Sequence, residues 1–219
     1  MMRCRCARSA EDLPQYGAAM SPSTGTAKRG PGRPPDLAKR EAVLAAAREV
    51  LAEVGYTSMT IDAVAQRAGS NRVLIYRVWD TKLALAADAL FGSMGGAFDI
   101  PDTGSLEDDL RAFIAQHVER MSTAAYLKGL PGLTVELLDD PDLYRWMHVR
   151  FVQPSEDGYR AILERARERG QLAGDVDPKV LTRVISGATT SLAQTGRLSA
   201  QAMVDILLQT LLGGLVPTP

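Results

Sequence analysis

The chain has 219 residues, 46% of them hydrophobic and only 5% aromatic, and carries a formal net charge of −1. That length suits one large domain or a small one joined to a medium one, and the composition buries a sizeable core while favouring helix over sheet. No apolar run approaches the roughly 18 uncharged residues of a membrane span. No apolar stretch follows Arg3, Arg5 and Arg8 either, so no signal peptide is read and a cytoplasmic protein, without a membrane partner, is expected.

The charge is unevenly spread. Ser21 to Lys82 holds ten basic and six acidic residues, whereas the chain beyond Lys82 holds twelve basic and eighteen acidic ones. A basic N-terminal third on an acidic body points to a polyanion that meets that third alone. Cys4 and Cys6 lack further ligand partners, so neither a metal nor a redox role is indicated. Met20 follows soon after, and translation starting there rather than at Met1 is an expectation that N-terminal sequencing would check.

Residues 1–35 are rich in Gly, Pro, Ser and Thr without periodicity and read as a disordered basic arm. Within it, Lys28-Arg29-Gly30-Pro31-Gly32-Arg33-Pro34-Pro35 joins flexible Gly, stiff Pro and several cations. Its Gly-Arg-Pro resembles the core of an AT-hook, and such an arm can lay Arg33 into a narrow groove of concentrated negative potential. A solvated basic linker is the bland alternative.

Asp36 can cap a helix to about Val54, whose residues Val43, Leu44, Ala47, Val50, Leu51 and Val54 recur at helical spacing, with Gly55 as its stop. Thr60 caps a short helix with Ile61, Val64 and Ala65 on one face. After Ala68-Gly69 a second short helix starts at Ser70 or Asn71 and carries Ile75 and Trp79. Two such helices about a tight Gly-containing turn form a helix-turn-helix. A further helix is expected from Lys82 to about Met94, then a loop from Gly95 to Ser105 and an amphipathic helix from Leu106 to Met121. Gly129–Leu138 reads as a short helix after a break, and Asp142–Val152 and Ser155–Arg169 as segments split by Pro154. Asp177-Pro178 opens a helix to about Thr195, and Ser199 caps a last one to about Leu212. No strand or repeat survives these assignments, and the fold class is all-α: a DNA-binding unit over 36–81 and a larger helical unit over 82–219.

Gly55-Tyr56, Thr60, Ile61, Ala65, Ala68-Gly69, Ile75-Tyr76, Trp79, Lys82 and Leu85 fall in the register of a known pattern. From about Asp36 to Leu90 the chain resembles the TetR family of transcriptional regulators. Ser70 departs from the usual buried Val, and Val73-Leu74 from a commoner Gly-Thr pair. Asp175-Val176-Asp177-Pro178 with Thr195-Gly196-Arg197 resembles a large subgroup of the same family. The resemblance implies a regulator, most simply a ligand-responsive repressor, that binds double-stranded operator DNA as a homodimer. No cofactor is implied.

The residues themselves support DNA contact. A helix in the major groove brings three or four side chains to base edges. Asn71, Arg72, Val73, Leu74, Tyr76 and Arg77 are the candidates on the second short helix: Arg72 or Arg77 for a guanine, Val73 or Leu74 for thymine methyls. Thr60, Tyr76 and Lys82 offer donors to phosphates. For the dimer face, the stripes Val184, Ala188, Ser191, Leu192 and Met203, Ile206, Leu207, Thr210 of the last two helices are the candidates, with an intramolecular core as the alternative. For a small apolar effector with one or two polar anchors they are Phe113, His117, Met121, Tyr126, Trp146, Met147, His148 and Phe151, although such stripes also make ordinary core. The two His lack metal-ligand spacing. No nucleophile elbow or Gly-rich phosphate loop is present, so no enzyme is read. A helical adaptor, and an activator or ligand-blind regulator of the same fold, are the remaining rivals.

Overall fold

The computed structural model describes residues 37–92, 98–138, 140–172 and 174–215, of which 214 and 215 without side chains. Arg33, Asp36 and the expected end of the fourth helix at Met94 lie outside them. Ten α-helices follow one another and no strand occurs among the described residues: α1 (Leu37–Ser58), α2 (Ile61–Arg67), α3 (Arg72–Tyr76), α4 (Lys82–Phe91), α5 (Leu106–Met121), α6 (Ala124–Leu138), α7 (Pro141–Met147), α8 (Gln153–Glu168), α9 (Pro178–Gln194) and α10 (Ala200–Leu215).

Local chemistry sets most of the boundaries. The hydroxyl of Thr60 accepts the Ala63 N–H at 3.2 Å, Asn71 Oδ1 that of Leu74 at 2.9 Å, and the Thr81 hydroxyl that of Ala84 at 3.0 Å. Each cap satisfies a donor that the first helical turn leaves without a partner. Asp177 and Ser199 do the same for α9 and α10. Between α2 and α3, Gly69 sits at φ 59° while the Ser70 N–H reaches back to the Ala65 carbonyl at 2.9 Å, so the chain reverses within three residues. Trp79, expected on the second short helix, lies just beyond α3, its N–H on the Ile75 carbonyl.

α1 is kinked at Gly55, with φ 72° and ψ 176°. A Cβ there would also lie 2.9 Å from the Lys128 carbonyl oxygen on α6, so both conformation and space require glycine. α6 departs from expectation. It begins at Ala124, five residues before the expected start, with Pro131 inside it. The break expected before Gly129 is absent, and Gly129 lies inside the helix. A Cβ on Gly129 would sit 3.0 and 3.2 Å from Leu90 of α4 and Leu51 of α1, and one on Gly132 2.9 Å from the Thr57 hydroxyl of α1, because both helices pack there. The segments either side of Pro154 are also joined: a π-turn over His148–Val152 leads from α7 into α8, where Pro154 occupies a first-turn position that needs no N–H.

Two apolar cores result. The first joins α1–α4 to α6, α7 and Phe151, and therefore crosses the boundary expected after residue 81. The second joins Phe98, α5, α8, α9 and α10. Inside the first, Asp88 in the middle of α4 is only 2% exposed. Its Oδ2 accepts Trp79 Nε1–H at 2.9 Å and the Arg40 guanidinium at 2.6 Å, which pins the end of the helix-turn-helix to α1 and α4. Gly55→Ala should lower unfolding stability in urea by about 1–3 kcal/mol, since φ is strained for alanine and the backbone facing it cannot move aside. Equal stability of the variant would mean that α1 and α6 can separate.

Candidate DNA-reading surface and effector cavity

α3 presents its two sides differently. Ile75, 1% exposed, and Trp79, 3% exposed, face the core beside Ile61 and Ala65, and these fix the helix on its support. Asn71, Arg72, Val73, Leu74, Tyr76 and Arg77 are all exposed, as is Thr60 at the start of α2. Val73 at 65% and Leu74 at 44% are large apolar side chains in water, which a monomer in isolation does not favour. Arg72 lies 3.4 Å from Asp62 and 5.5 Å from the centre of the Tyr76 ring, so it is already poised across α2 and α3. Asn71 is half committed: its Oδ1 caps α3, leaving its amide N–H₂ outward. Lys82 is less free than the sequence suggested. Its Nζ lies 4.2 Å over the Tyr56 ring and donates to the Tyr56 carbonyl at 3.3 Å, while the Tyr56 hydroxyl donates to Glu136 on α6. Burial, with the Glu136 hydrogen bond and charge, pushes the Tyr56 phenol well above its ordinary range, so it stays a donor.

A second site lies among α4–α9, a cavity of about 390 Å³. It is lined by Phe91, Phe98, Met121, Tyr126, Leu130, Met147, Phe151 and Val152 as its apolar wall, with His117, Arg120, Thr134, Tyr144, Ser155, Thr182, Arg183 and Ser186 as polar groups. Five of the eight sequence candidates line it: His117, Met121, Tyr126, Met147 and Phe151. Three do not. Phe113 is fully buried behind His117, against Tyr159 and Gly158. Trp146 packs edge-on against Phe151 from outside the cavity, and His148 turns toward Glu156, 3.4 Å away. Helical periodicity could not separate the cavity side of these helices from the core side. Phe98, which stacks on His117 at 4.8 Å, comes from a loop and carries no periodic signal at all.

His117 is 1% exposed. Burial, opposed by the Phe113 carbonyl and helped by the Arg120 charge, holds its imidazole down to about 4. The neutral ring then donates from Nδ1 to the Phe113 carbonyl at 3.0 Å and accepts the Ser155 hydroxyl at Nε2, also 3.0 Å. Burial likewise pushes Tyr126 up to about 12, against a hydrogen bond with Thr190.

The last two helices form the third surface. Val184 and Ile206, 51% and 41% exposed, flank a shallow groove with Ala188, Ser191, Leu192, Leu207 and Thr210. Met203 does not belong to this face: it is 3% exposed and turned inward to the second core, and Leu207, 5% exposed, forms only the groove's floor. Met203 and Ile206 lie three residues apart on one stripe of α10, so periodicity does not tell the inward residue from the outward one.

These features define a helix-turn-helix regulator with a ligand-sized cavity and a free apolar face. The model of bacterial regulatory proteins of the tetR family matches residues 43–89, and that of the tetracyclin repressor-like C-terminal domain matches residues 100–208. The HTH-type transcriptional regulator YdeS of Bacillus subtilis is 30% identical over 161 residues, 71% of this chain and 78% of its own. The DNA-binding transcriptional repressor TetR of Mycobacteroides abscessus is 31% identical over 150 residues, 68% of this chain and 78% of its own. The crystal structure of the TetR family transcription regulator SCO0332 superposes with a TM-score of 0.58 at 29% identity, covering 82% of this chain and 99% of that one. The chain belongs to the TetR family of DNA-binding transcriptional regulators, and is not an enzyme. No described helix is long and apolar enough to cross a membrane.

The buried imidazole gives stability a pH dependence. Its folded value lies below the unfolded 6.5, so as pH falls the unfolded chain takes up the proton first. The contribution is complete above pH 6.5 and is lost progressively as pH falls toward 4. Between about pH 7.5 and about pH 5 the loss should be about 2 kcal/mol in urea unfolding, and His117→Gln should lack that component. Parallel curves for the two proteins would show that His117 is not buried as described.

Proposed function

We propose that the protein is a ligand-responsive repressor that binds a palindromic operator as a homodimer, reading bases with α3 and releasing DNA when the cavity fills. The observation that carries the reading is the exposure of Val73, Leu74 and Tyr76 beside Arg72 and Arg77 on a helix fixed from behind by Ile75 and Trp79. Side chains so placed enter a major groove together: an arginine forks onto a guanine, and Val73 and Leu74 meet thymine methyls. Tyr76, Thr60 and the α4 N-terminus at Lys82 serve phosphates. Arg33 reaches an adjacent minor groove from the basic arm.

Two copies pair through the outer face of α9 and α10, with Val184, Ala188, Ser191, Leu192, Ile206 and Thr210 in the four-helix contact. The twofold axis then spaces two reading helices for half-sites about one helical turn apart. The functional division is a reading head over 36–81 and an effector and dimerisation unit over 82–219.

Coupling runs along two routes. α4 touches the reading head through Lys82 and lines the cavity with Phe91 at its other end. α6 lines the cavity with Tyr126, Leu130 and Thr134 and holds Tyr56 through Glu136. A ligand that displaces either helix changes the angle of α3. To reverse a population of DNA-competent dimers from 99:1 to 1:99 it must favour the other state by about 5.5 kcal/mol.

In a gel-shift salt titration against the intergenic DNA upstream of its own gene, the wild-type protein should bind as a dimer. Tyr76→Ala should weaken binding by about 1–3 kcal/mol with the salt slope unchanged, since a neutral hydroxyl displaces no counterion, whereas Lys82→Ala should flatten that slope by about one unit. Absence of specific binding there, followed by a failed selection from random DNA, would overturn the repressor reading. In analytical ultracentrifugation Val184→Glu together with Ile206→Glu should sediment as a folded monomer; a persisting dimer would place the interface elsewhere.

A further inference from the structure

The cavity's charge is one-sided. Among the described residues that line it, Arg120 and Arg183 are cations and none is Asp or Glu, while burial keeps His117 neutral. Arg120 projects from α5 with its guanidinium 4.1 Å from the centre of the Phe98 ring. Its Nη1 is out of reach of water and has no hydrogen-bond partner, and no described carboxylate forms an ion pair with it. Burial pulls its pKa down against the opposing charge of Glu119, its neighbour along the chain. A guanidinium stays charged under such pressure, so the folded protein bears the cost of an incompletely solvated cation. The cavity's hydroxyls do not relieve it: Ser155 donates to His117 and Thr182 to the Pro178 carbonyl at 2.8 Å, and neither oxygen accepts from Nη1.

An unpaired buried donor costs more than a paired one gains, which makes it a strong discriminator between ligands. Around Arg120 the wall is aromatic: Phe91, Phe98, Tyr126, Tyr144 and Phe151. Arg183, exposed on α9, adds a second positive charge to the same cavity. We propose that the effector is an organic monoanion, a carboxylate on an apolar body, whose carboxylate pairs with Arg120 while the body lies against the aromatic wall. The proposal rests on the reading of this cavity as the effector site. It also accounts for Arg120 itself: the group is unfavourable in the empty protein and becomes favourable only in the complex.

Calorimetric titration of the dimer with naphthylacetate against the matching naphthylethanol, and with decanoate against decanol, tests it. The wild-type protein should bind each acid about tenfold to a hundredfold more tightly than its alcohol, the range of a charge-assisted hydrogen bond. Arg120→Met should erase that preference with alcohol binding unchanged, and should melt no lower than wild type without ligand, which loss of a structural arginine would not allow. Arg120→Lys should keep part of the preference, and Arg120→Gln gives the same reading as the Met variant should the latter fail to fold. Equal binding of acid and alcohol by the wild type, or an acid preference that survives in Arg120→Met and Arg120→Gln, would overturn the proposal and leave the cavity an effector site. Binding of none of the four compounds would remove the cavity reading together with the proposal.

Discussion

The carboxylate of Asp88 sits inside a helix whose other buried residues are almost all apolar, and the orientation of the reading head depends on what it holds. A buried charge is tolerated only with partners of good geometry. Here the partners come from two directions: the indole N–H of Trp79 from the end of the helix-turn-helix, and the Arg40 guanidinium from the start of α1. Hydrophobic contact between Ile75, Trp79 and the first core is strong but not directional. The hydrogen bonds to Asp88 supply the direction. They join the start of α1 to two segments nine residues apart, the end of the helix-turn-helix and α4, and α3 inherits its angle from that joint.

The same joint lies on a helix that ends at the cavity. From Asp88 to Phe91 is less than one helical turn, so a ligand against Phe91 is one turn from the group that orients the reading head. α6 offers a parallel connection through Tyr56 and Glu136. Both connections end on Lys82 and Tyr56, which touch each other. Two linked rigid elements that converge on one contact form a joint with few intermediate positions, the property on which the proposed ligand response would depend.

Much of this was legible in the sequence where the governing interaction is local. Thr60, Asn71, Thr81 and Asp177 act on N–H groups two or three residues away, and Gly55 and Gly69 answer a local dihedral. What the sequence concealed depends on partners far along the chain. Gly129 reads as the edge of a helix break until α4 and α1 are seen to pack against it. Phe113 and Phe151 are alike as aromatic residues on amphipathic helices, yet one is core and the other lines the cavity. Met203 and Ile206 are neighbours about one turn apart on α10, yet one is buried in the second core and the other is exposed. Arg120 gives no signal in the sequence, because the Phe98 ring it lies 4.1 Å from comes from a loop.

The glycine seam between α1 and α6 bears on how such regulators can be recombined. A chimaera that joins this reading head to another sensor just before Lys82 would set α1 against a foreign α6. Side chains larger than hydrogen at the positions of Gly129 and Gly132 would hold the two helices apart, and Gly55 would lose the carbonyl it lies against. The transplantable module is therefore not a continuous stretch of sequence. It is the first 90 or so residues plus one face of a helix that begins thirty residues later, and exchange of specificity between relatives requires both to travel together.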